Sequence, residues 1–589
     1  MKVCDYIVKY LEAKGVENVF GYPGGMILPL MDSLSRSGKI NLHITYHEQA
    51  AAFAACGYAK VSSKVAVAVS TSGPGATNLI TGIADSYFDS VPVVFITGQC
   101  NSKESKGDKK LRQSGFQETD IAGMVRGICK YAVCVDSPSD IKNFLELAFF
   151  YATDGRRGAV LLDIPMDVLQ ADLNSAVDFE CGELIQNAME AECKPYQMTE
   201  QYENIRNSLL YEIAVSRKPL VLVGAGVISC GVREECINLL NRLKIPVVST
   251  MPAVDISAGL SEYYGFVGVY GHRAANLILS ECDVLICLGT RLSIRQTGAD
   301  VSAFAPNAKI VRVDVDRAQL GYKIRPDEVQ FVSDLTELIP MLCSDREFDD
   351  EVNKVINDRF KPWFNRCEFL KSSLCNVDIT EGNEAVKCIC SFISYDAVVV
   401  ADVGQSQVWA AQSFEFKRGQ RMIFSAGHGA MGFALPASVG AFYASDKQVI
   451  CICGDGGFQM NIQELQFVAA YKPEIKIFIF NNHGLGMIRH FQELNFFGNY
   501  SYTTEGNGYS NPDFCAVAEA YGIPAFRISE SSDFQVISDN ISRKGPVLFE
   551  IMLSDRTYLT PRLSYRNPLN RQEPLLDKEL LDKIFPRLD

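Results

Sequence analysis

Three consecutive α/β domains, each with a doubly wound and mostly parallel sheet, are the fold the sequence predicts. Three observations predict it. Apolar runs recur along the whole chain, each followed by a glycine-rich or polar turn and then a helix-like pattern. Those runs are apolar throughout rather than alternating, as strands covered on both faces of a parallel sheet are. The length of 589 residues suits three or four domains at roughly 100–200 residues each.

The first domain is predicted over 1–175. "MKVCDYIVKYLEAKGVENVFGYPGG" goes straight into an amphipathic helix and a strand, so no cleaved leader is expected. "VAVAVSTSGPG" and "VPVVFITGQ" are buried strands. The acidic stretch "SAVDFECGELIQNAMEAECKPYQMTEQ" is a linker. The middle domain, 195–345, repeats the grammar in "KPLVLVGAGV", "IPVVSTM", "CDVLICLGT" and "AKIVRVDVD". A looser segment with "DREFDDEVNKVINDRFKPWF" follows. The third domain, 375–560, carries "DAVVVADVG", "QVICICGDGG", "IKIFIFNN" and "GPVLFEIML". The tail, 561–589, is rich in Pro, Arg and Leu and is expected to wrap the surface.

Bulk composition narrows the function. Charged residues make up 21% and apolar ones 47%, as in a soluble globular chain. A net charge of -14 argues against nucleic acid or an anionic membrane as partner. The 19 Cys are scattered, many in apolar runs, and read as buried small hydrophobes rather than a disulfide framework or a zinc site. No apolar run reaches about 18 residues, so no membrane span is expected and the cytoplasm is the default location.

The chemistry is written at strand ends, where open α/β sheets bind ligands. In "CGDGGFQMNIQEL", Gly454, Gly456 and Gly457 allow a tight turn that points N–H groups outward. Alone this is equally a plain strand–helix turn. Asp455 inside such a phosphate cradle would repel a phosphate. The next strand, "IKIFIFNN", ends in Asn481 and Asn482, with 24 residues between Gly456 and Asn481. Two neighbouring strands would then end in oxygen ligands. Mg²⁺ prefers such oxygens together with those of phosphate, so a metal bound by Asp455 and Asn482 would bridge to a diphosphate.

At this point the sequence resembles thiamine diphosphate (ThDP) enzymes, whose fingerprint is Gly-Asp-Gly followed some two dozen residues later by Asn-Asn. "FGYPGGMILPLMDSL", "HEQAAAFAACGYAK", "TSGPGATNLITGIADSYFDSVPVVFITGQ", "GFQETD", "GRRGAVLLDIPMDV" and "GHGAMGFALPASVGA" are similar to acetohydroxyacid (acetolactate) synthase catalytic subunits, in the family's order over about residues 1–555. The resemblance implies a first domain that binds the pyrimidine of ThDP, a middle domain resembling the family's FAD-binding one, and a third that binds the diphosphate. The halves of a site come from different subunits, which implies a homodimer or homotetramer with active sites at the interface. Asp455, Asn482 and the Gly484 carbonyl match the metal ligands. Gly404, Gln405, Ser406, Gly456, Gly457 and Gly486 match diphosphate-side positions; the family often has His where Ser406 stands. Pro74 and Asn78 match pyrimidine-side positions, and Pro23 and Gly24 match cofactor-binding ones. Gly429 matches the carbonyl that accepts from the 4′-amino group. Met487 and Ile488 match the wall beneath the ring.

Taken alone, Glu48 in "ITYHEQAAAFAA" reads as a first-turn acid favoured by the helix dipole. The resemblance makes it the catalytic carboxylate that shares a proton with the pyrimidine, so that thiazolium C2 can be deprotonated and attack a 2-keto acid. Met431 matches the apolar residue that holds the two ThDP rings in a V. Neighbouring His47 and His483 read as structural.

Phe116 and Gln117 match residues beside the reacting carbons. Two positions depart from the family: Met166 stands for its lysine, and Phe491 for the tryptophan that shapes the acceptor pocket. In the middle domain, "GTRLSIRQTG" resembles flavin-binding stretches, with Arg291 and Arg295 matching FAD contacts and Arg156 a third. The expected activity is decarboxylation of pyruvate and transfer of its two-carbon unit to a second 2-keto acid, with Mg²⁺ and FAD. The tail "RLSYRNPLNRQEPLLDKELLD" instead resembles relatives that transfer to a nucleotide-linked keto sugar in surface-polysaccharide synthesis. A pyruvate oxidase-type enzyme is the third alternative.

Overall fold

A computed structural model describes residues 1–173, 198–356 and 359–585. Most of the acidic linker lies outside the described residues. Three six-stranded sheets follow one another along the chain, and every pairing within them is parallel.

The first sheet holds β1 (Asn18–Gly21), β2 (Asn41–Ile44), β3 (Ala66–Ser70), β4 (Val93–Gln99), β5 (Tyr131–Cys134) and β6 (Val160–Pro165) in the order β2-β1-β3-β4-β6-β5. The second holds β7 (Pro219–Val223), β8 (Val247–Ser249), β9 (Tyr263–Phe266), β10 (Val284–Leu288), β11 (Lys309–Asp314) and β12 (Val329–Val332), ordered β12-β11-β10-β7-β8-β9. The third holds β13 (Val398–Ala401), β14 (Arg421–Ile423), β15 (Val449–Gly454), β16 (Ile475–Asn481), β17 (Ala525–Ile528) and β18 (Val547–Met552), ordered β14-β13-β15-β16-β18-β17. The central strands are buried along their whole length, which is why their sequences run apolar without alternation. Among the described residues, no helix is long and apolar enough to cross a membrane.

The first and third sheets share a core. Helices Glu48–Ser62 and Ala434–Ser445 pack against each other, and Phe53, Ala54, Phe433 and Ala437 lie in one apolar cluster. Their backbones touch where side chains are missing: a Cβ on Gly440 would lie 1.8 Å from Ala54 O, and one on Gly57 2.2 Å from Ala437 O.

The segment expected to be looser is instead helical. Helices Arg346–Ile356 and Lys361–Leu374 bury Phe348, Val352, Trp363 and Leu370. Their apolar residues recur at helical spacing, but dense charges between them hide it. The described part of the tail folds back on the middle sheet. Leu569 and Ile584 enter its core, and buried Arg273 donates to Gln572 O and Pro574 O while pairing with Asp378.

Candidate functional site

Two half-sites stand out, one on the first sheet and one on the third. Glu48 opens helix Glu48–Ser62, and the His47 ring caps it by accepting from Gln49 N at 3.1 Å. The Glu48 carboxylate is 9% exposed and accepts from Asn78 Nδ2 at 2.9 Å. Asn78 ends the short helix Pro74–Asn78 that follows β3. A Cβ on Gly75 would meet Glu48 Oε1 at 3.2 Å, so this glycine turn lies against the acid. Gly24, next to exposed Pro23, faces Thr71 of the same turn. Gln117, at φ +58°, packs on Gly73, and Phe116 beside it is 75% exposed. The structure therefore gathers Glu48, Asn78, Pro74, Gly24 and Gln117 around one turn.

The other half lies at the ends of β13, β15 and β16. β15 and β16 are neighbours, with Gly454 opposite Phe480, so Asp455 and Asn482 leave adjacent strand ends as expected. Asp455 Oδ2 accepts from Gly484 N at 2.9 Å and Asn511 Nδ2 at 2.7 Å, and Oδ1 from Gly456 N. Burial pushes this carboxyl up, against those donors. Asn482 donates Nδ2 to Gln405 Oε1 at 2.8 Å, which leaves its amide oxygen as the atom a metal could take. Asn511 Oδ1 is buried without a partner beside Asp455. A buried acid, an oriented amide oxygen and an orphaned amide oxygen are a donor set that fits Mg²⁺.

A Cβ on Gly486 would fall 1.8 Å from Gln405 Oε1, so the Asn482–Gly486 turn lies directly against the Gln405 side chain at the start of helix Gln405–Ser413. The Gln405 side chain also donates to Thr557 O, and the Ser406 hydroxyl donates to Asp402 O. Both side chains are thus engaged within the chain. What they offer a diphosphate is the backbone N–H edge of a nine-residue helix N-terminus, after Gly404 at φ +141°. Met431 lies against this half: its Cε would be 3.5 Å from a Cβ on Gly456. Gly429, at φ +72°, precedes it, and Met487 and exposed Ile488 open helix Gly486–Asn495. Gly457 packs on Asp402.

Several residues escaped the sequence reading. Asp402, fully buried at the end of β13, accepts from Val403 N and Gly432 N and so holds the turn after Met431. Burial pushes it up to about 7. An acid ending an apolar strand was its signal, the same one that marked Asp455. Asn511 comes from a loop with no motif. A partly buried Lys60 joins the two domains: its ammonium contacts Asp89 at 2.6 Å, Asp85 at 3.7 Å and Phe424 O at 2.7 Å. Burial works against its charge, and Asp89 and Asp85 outweigh that and push it up. Asp85 accepts from Ser425 Oγ, and Asp89 from Ala426 N and Gly427 N. The loop that leads to Gly429 and Met431 is thereby fastened to the first domain. Two acids four residues apart on an apolar helix, in "IADSYFDS", were the readable trace of it.

A third feature is a cavity of ≈ 400 Å³ between the middle sheet and its neighbours. It opens at β7 and β10, adjacent strands where the order of the middle sheet reverses, the usual dinucleotide position. Gly226, Gly289, Arg291, Arg295, Arg156 and Asp314 line it. A Cβ on Gly224 would lie 2.1 Å from Gly289 O. Burial, then the nearby Arg156, lowers Arg291. Arg156 itself pairs with Asp316 at 3.0 Å and donates to Ser90, bridging two domains. Two guanidiniums facing one apolar-walled cavity fit an anionic dinucleotide such as FAD.

The chain's likeness to known proteins follows the same division. Residues 1–124 match the thiamine pyrophosphate enzyme N-terminal TPP binding domain, 207–342 the central domain and 402–551 the C-terminal TPP binding domain. The acetolactate synthase large subunit of Cyanidium caldarium is 35% identical over 573 residues, covering 95% of this chain and 94% of its own. Acetolactate synthase isozyme 2 large subunit of Escherichia coli K12 is 34% identical over 567 residues, with 95% and 97% covered. A probable acetolactate synthase large subunit of Methanocaldococcus jannaschii is 36% identical, with 99% and 98% covered.

Proposed function

The chain belongs to the thiamine pyrophosphate enzymes, with acetolactate synthase large subunits as full-length relatives, and from that premise we propose that it decarboxylates pyruvate and joins the two-carbon unit to a second 2-keto acid. The observation that carries this reading is the pair of half-sites: an acid held by Asn78 at the start of a helix, and an acid–amide pair at two adjacent strand ends.

Asp455, Asn482 and the Gly484 carbonyl would hold Mg²⁺, and the N-terminus of helix Gln405–Ser413 would take the diphosphate. The bound cofactor supplies a nucleophilic carbon and an electron sink for the carboxylate carbon lost as CO₂. The chain's residues do the rest. Glu48 holds and moves a proton at the pyrimidine edge, and Asn78 fixes its orientation. Met431 would lie against the rings of the bound cofactor, and Gly429 O would accept from its amino group. Gln117 lies against the pyrimidine-side turn, where an acceptor would enter. The resemblance to the family's catalytic subunits supports centres completed by a second copy of the chain. The middle cavity holds FAD as a structural element.

One observation favours a larger acceptor. Phe116 on the first half and Phe491 on the third are 75% and 56% exposed, and Met166 stands where the relatives' motif has a lysine. A nucleotide-linked keto sugar is therefore the second reading. Incubation with pyruvate, ThDP and Mg²⁺, with and without each acceptor, tests both: mass spectrometry finds acetolactate on the first reading. A sugar adduct without acetolactate establishes the second in its place.

A further inference from the structure

The stretch after the metal acid reaches across to the other half-site. Glu464, 1% exposed, accepts Tyr46 N on both carboxyl oxygens, at 3.0 and 3.2 Å. It also accepts from His47 N. Those two peptides immediately precede Glu48. Asn461, also 1% exposed, donates Nδ2 to Gly432 O at 2.8 Å and to Gln49 Oε1 at 3.3 Å. Gln463 Nε2 donates to Asn461 Oδ1 and fixes which way that amide faces. Three residues around Glu48 and the residue after Met431 are thus gripped by one turn, Asn461–Glu464, that begins six residues past Asp455.

We propose that Glu464 and Asn461 are positioning residues for the reaction: they set the Glu48 carboxyl relative to the pyrimidine through the backbone of Tyr46 and His47 and the side chain of Gln49. The inference rests on the reading of Glu48 as the catalytic acid. A buried carboxyl with no cation beside it is costly, and an apolar residue would fill the same space in a scaffold. Here it answers two N–H groups that helix Glu48–Ser62 cannot satisfy, because they precede its first turn. Burial pushes Glu464 up to about 8, so at neutral pH it accepts those bonds without placing a second negative charge next to Glu48. A displacement of about 1 Å at Glu48 is enough to slow proton transfer roughly 100-fold.

The test uses the full-length protein and four variants. In the apoprotein, Glu464→Met should speed amide hydrogen exchange at Tyr46 and His47 by about tenfold or more, with melting still cooperative. In the loaded protein it should slow exchange of the bound cofactor's C2 proton, followed by NMR, about 100-fold. ThDP affinity in Mg²⁺ should stay within about threefold, because the diphosphate half is untouched. Glu464→Gln, which keeps an acceptor oxygen, should restore both exchange rates to within about threefold. Asn461→Ala should slow C2 exchange about tenfold and serves if Met at 464 prevents folding. Folded Glu464→Met or Asn461→Ala with C2 exchange at the unmodified rate overturns the proposal. So does a parallel loss of ThDP affinity and C2 exchange, which marks general damage. Glu48→Gln separates the two levels: if it leaves C2 exchange intact, the reading of Glu48 itself fails.

Discussion

The first and third sheets have the same strand order and opposite chemistry. Numbered within each domain, both run 2-1-3-4-6-5, whereas the middle sheet runs 3-2-1-4-5-6. After the third strand, each carries a glycine turn and a five-residue helix: Pro74–Asn78 in one, Asp455–Gln459 in the other. The first turn bears no acid and turns an amide toward Glu48, at the end of the neighbouring β-α unit. The second bears the acid itself and turns it toward Asn482 and Asn511. After the second strand the roles exchange, since helix Glu48–Ser62 opens on an acid and helix Ala434–Ser445 follows an apolar Met431. One topology thus supplies the same set of strand ends twice, and on the proposed function the residue at each end assigns one to a proton and the other to a metal.

The largest effects should come from breaking each half in its own way. Glu48→Gln removes the proton carrier and should lower decarboxylation about 10²–10⁴-fold while ThDP binding measured by calorimetry is retained. Asp455→Ala removes the metal acid and should weaken Mg²⁺-dependent ThDP binding more than about 100-fold. If both losses appear in binding alone, the division between the halves is wrong. Mixing the two inactive chains sharpens it further. With centres shared between subunits, half of the dimers are mixed and each mixed dimer has one intact centre, so roughly a quarter of full activity should return. With each centre built within one chain, none returns.

The scaffold was legible in the sequence because buried parallel strands leave long apolar runs, and every such run named from the sequence is a strand. The placing of Asp455 and Asn482 at adjacent strand ends was legible because both residues follow such runs. What links the halves was not. Glu464 and Asn461 act on groups up to 418 residues away, and no local spacing records those contacts, while the Lys60 cluster left only the spacing of its two acids. The helices over 346–374 were hidden for a different reason: charges outnumber the few buried residues that order them.

Lys60 tests whether the two compared regions are mechanically one. Replacing it with Met leaves Asp85 and Asp89 buried without their cation, and breaking such a buried pair costs about 3–5 kcal/mol. The loss should appear as a lower midpoint in urea. It should also loosen the Ser425–Gly427 loop, whose amides those acids hold, seen as faster amide exchange there. A midpoint shift below about 1 kcal/mol would mean that the acids take up a proton or a water at no consequence to the junction.

The smallest effect is a pH dependence that runs from the third sheet to the first. Glu464 is pushed up to about 8 by burial, against its Tyr46 and His47 amide donors, from an ordinary value of 4.5. The folded chain therefore keeps a proton between those values that the unfolded chain has lost. Its contribution to stability is fully present below pH 4.5 and is lost as pH rises to about 8. Asp402 and Asp163, each near 7, and Asp85, near 6, add slopes of the same sign at lower pH. Between pH 7 and 8 the remaining carboxyl slope belongs mainly to Glu464. Glu464→Gln cannot titrate, so its stability relative to the unmodified protein should rise by about 1 kcal/mol across that unit. Urea unfolding at pH 7 and pH 8 reads the difference directly. Parallel curves for the two proteins would place the Glu464 proton elsewhere and leave the turn from Asn461 to Glu464 as a plain hydrogen-bonded joint.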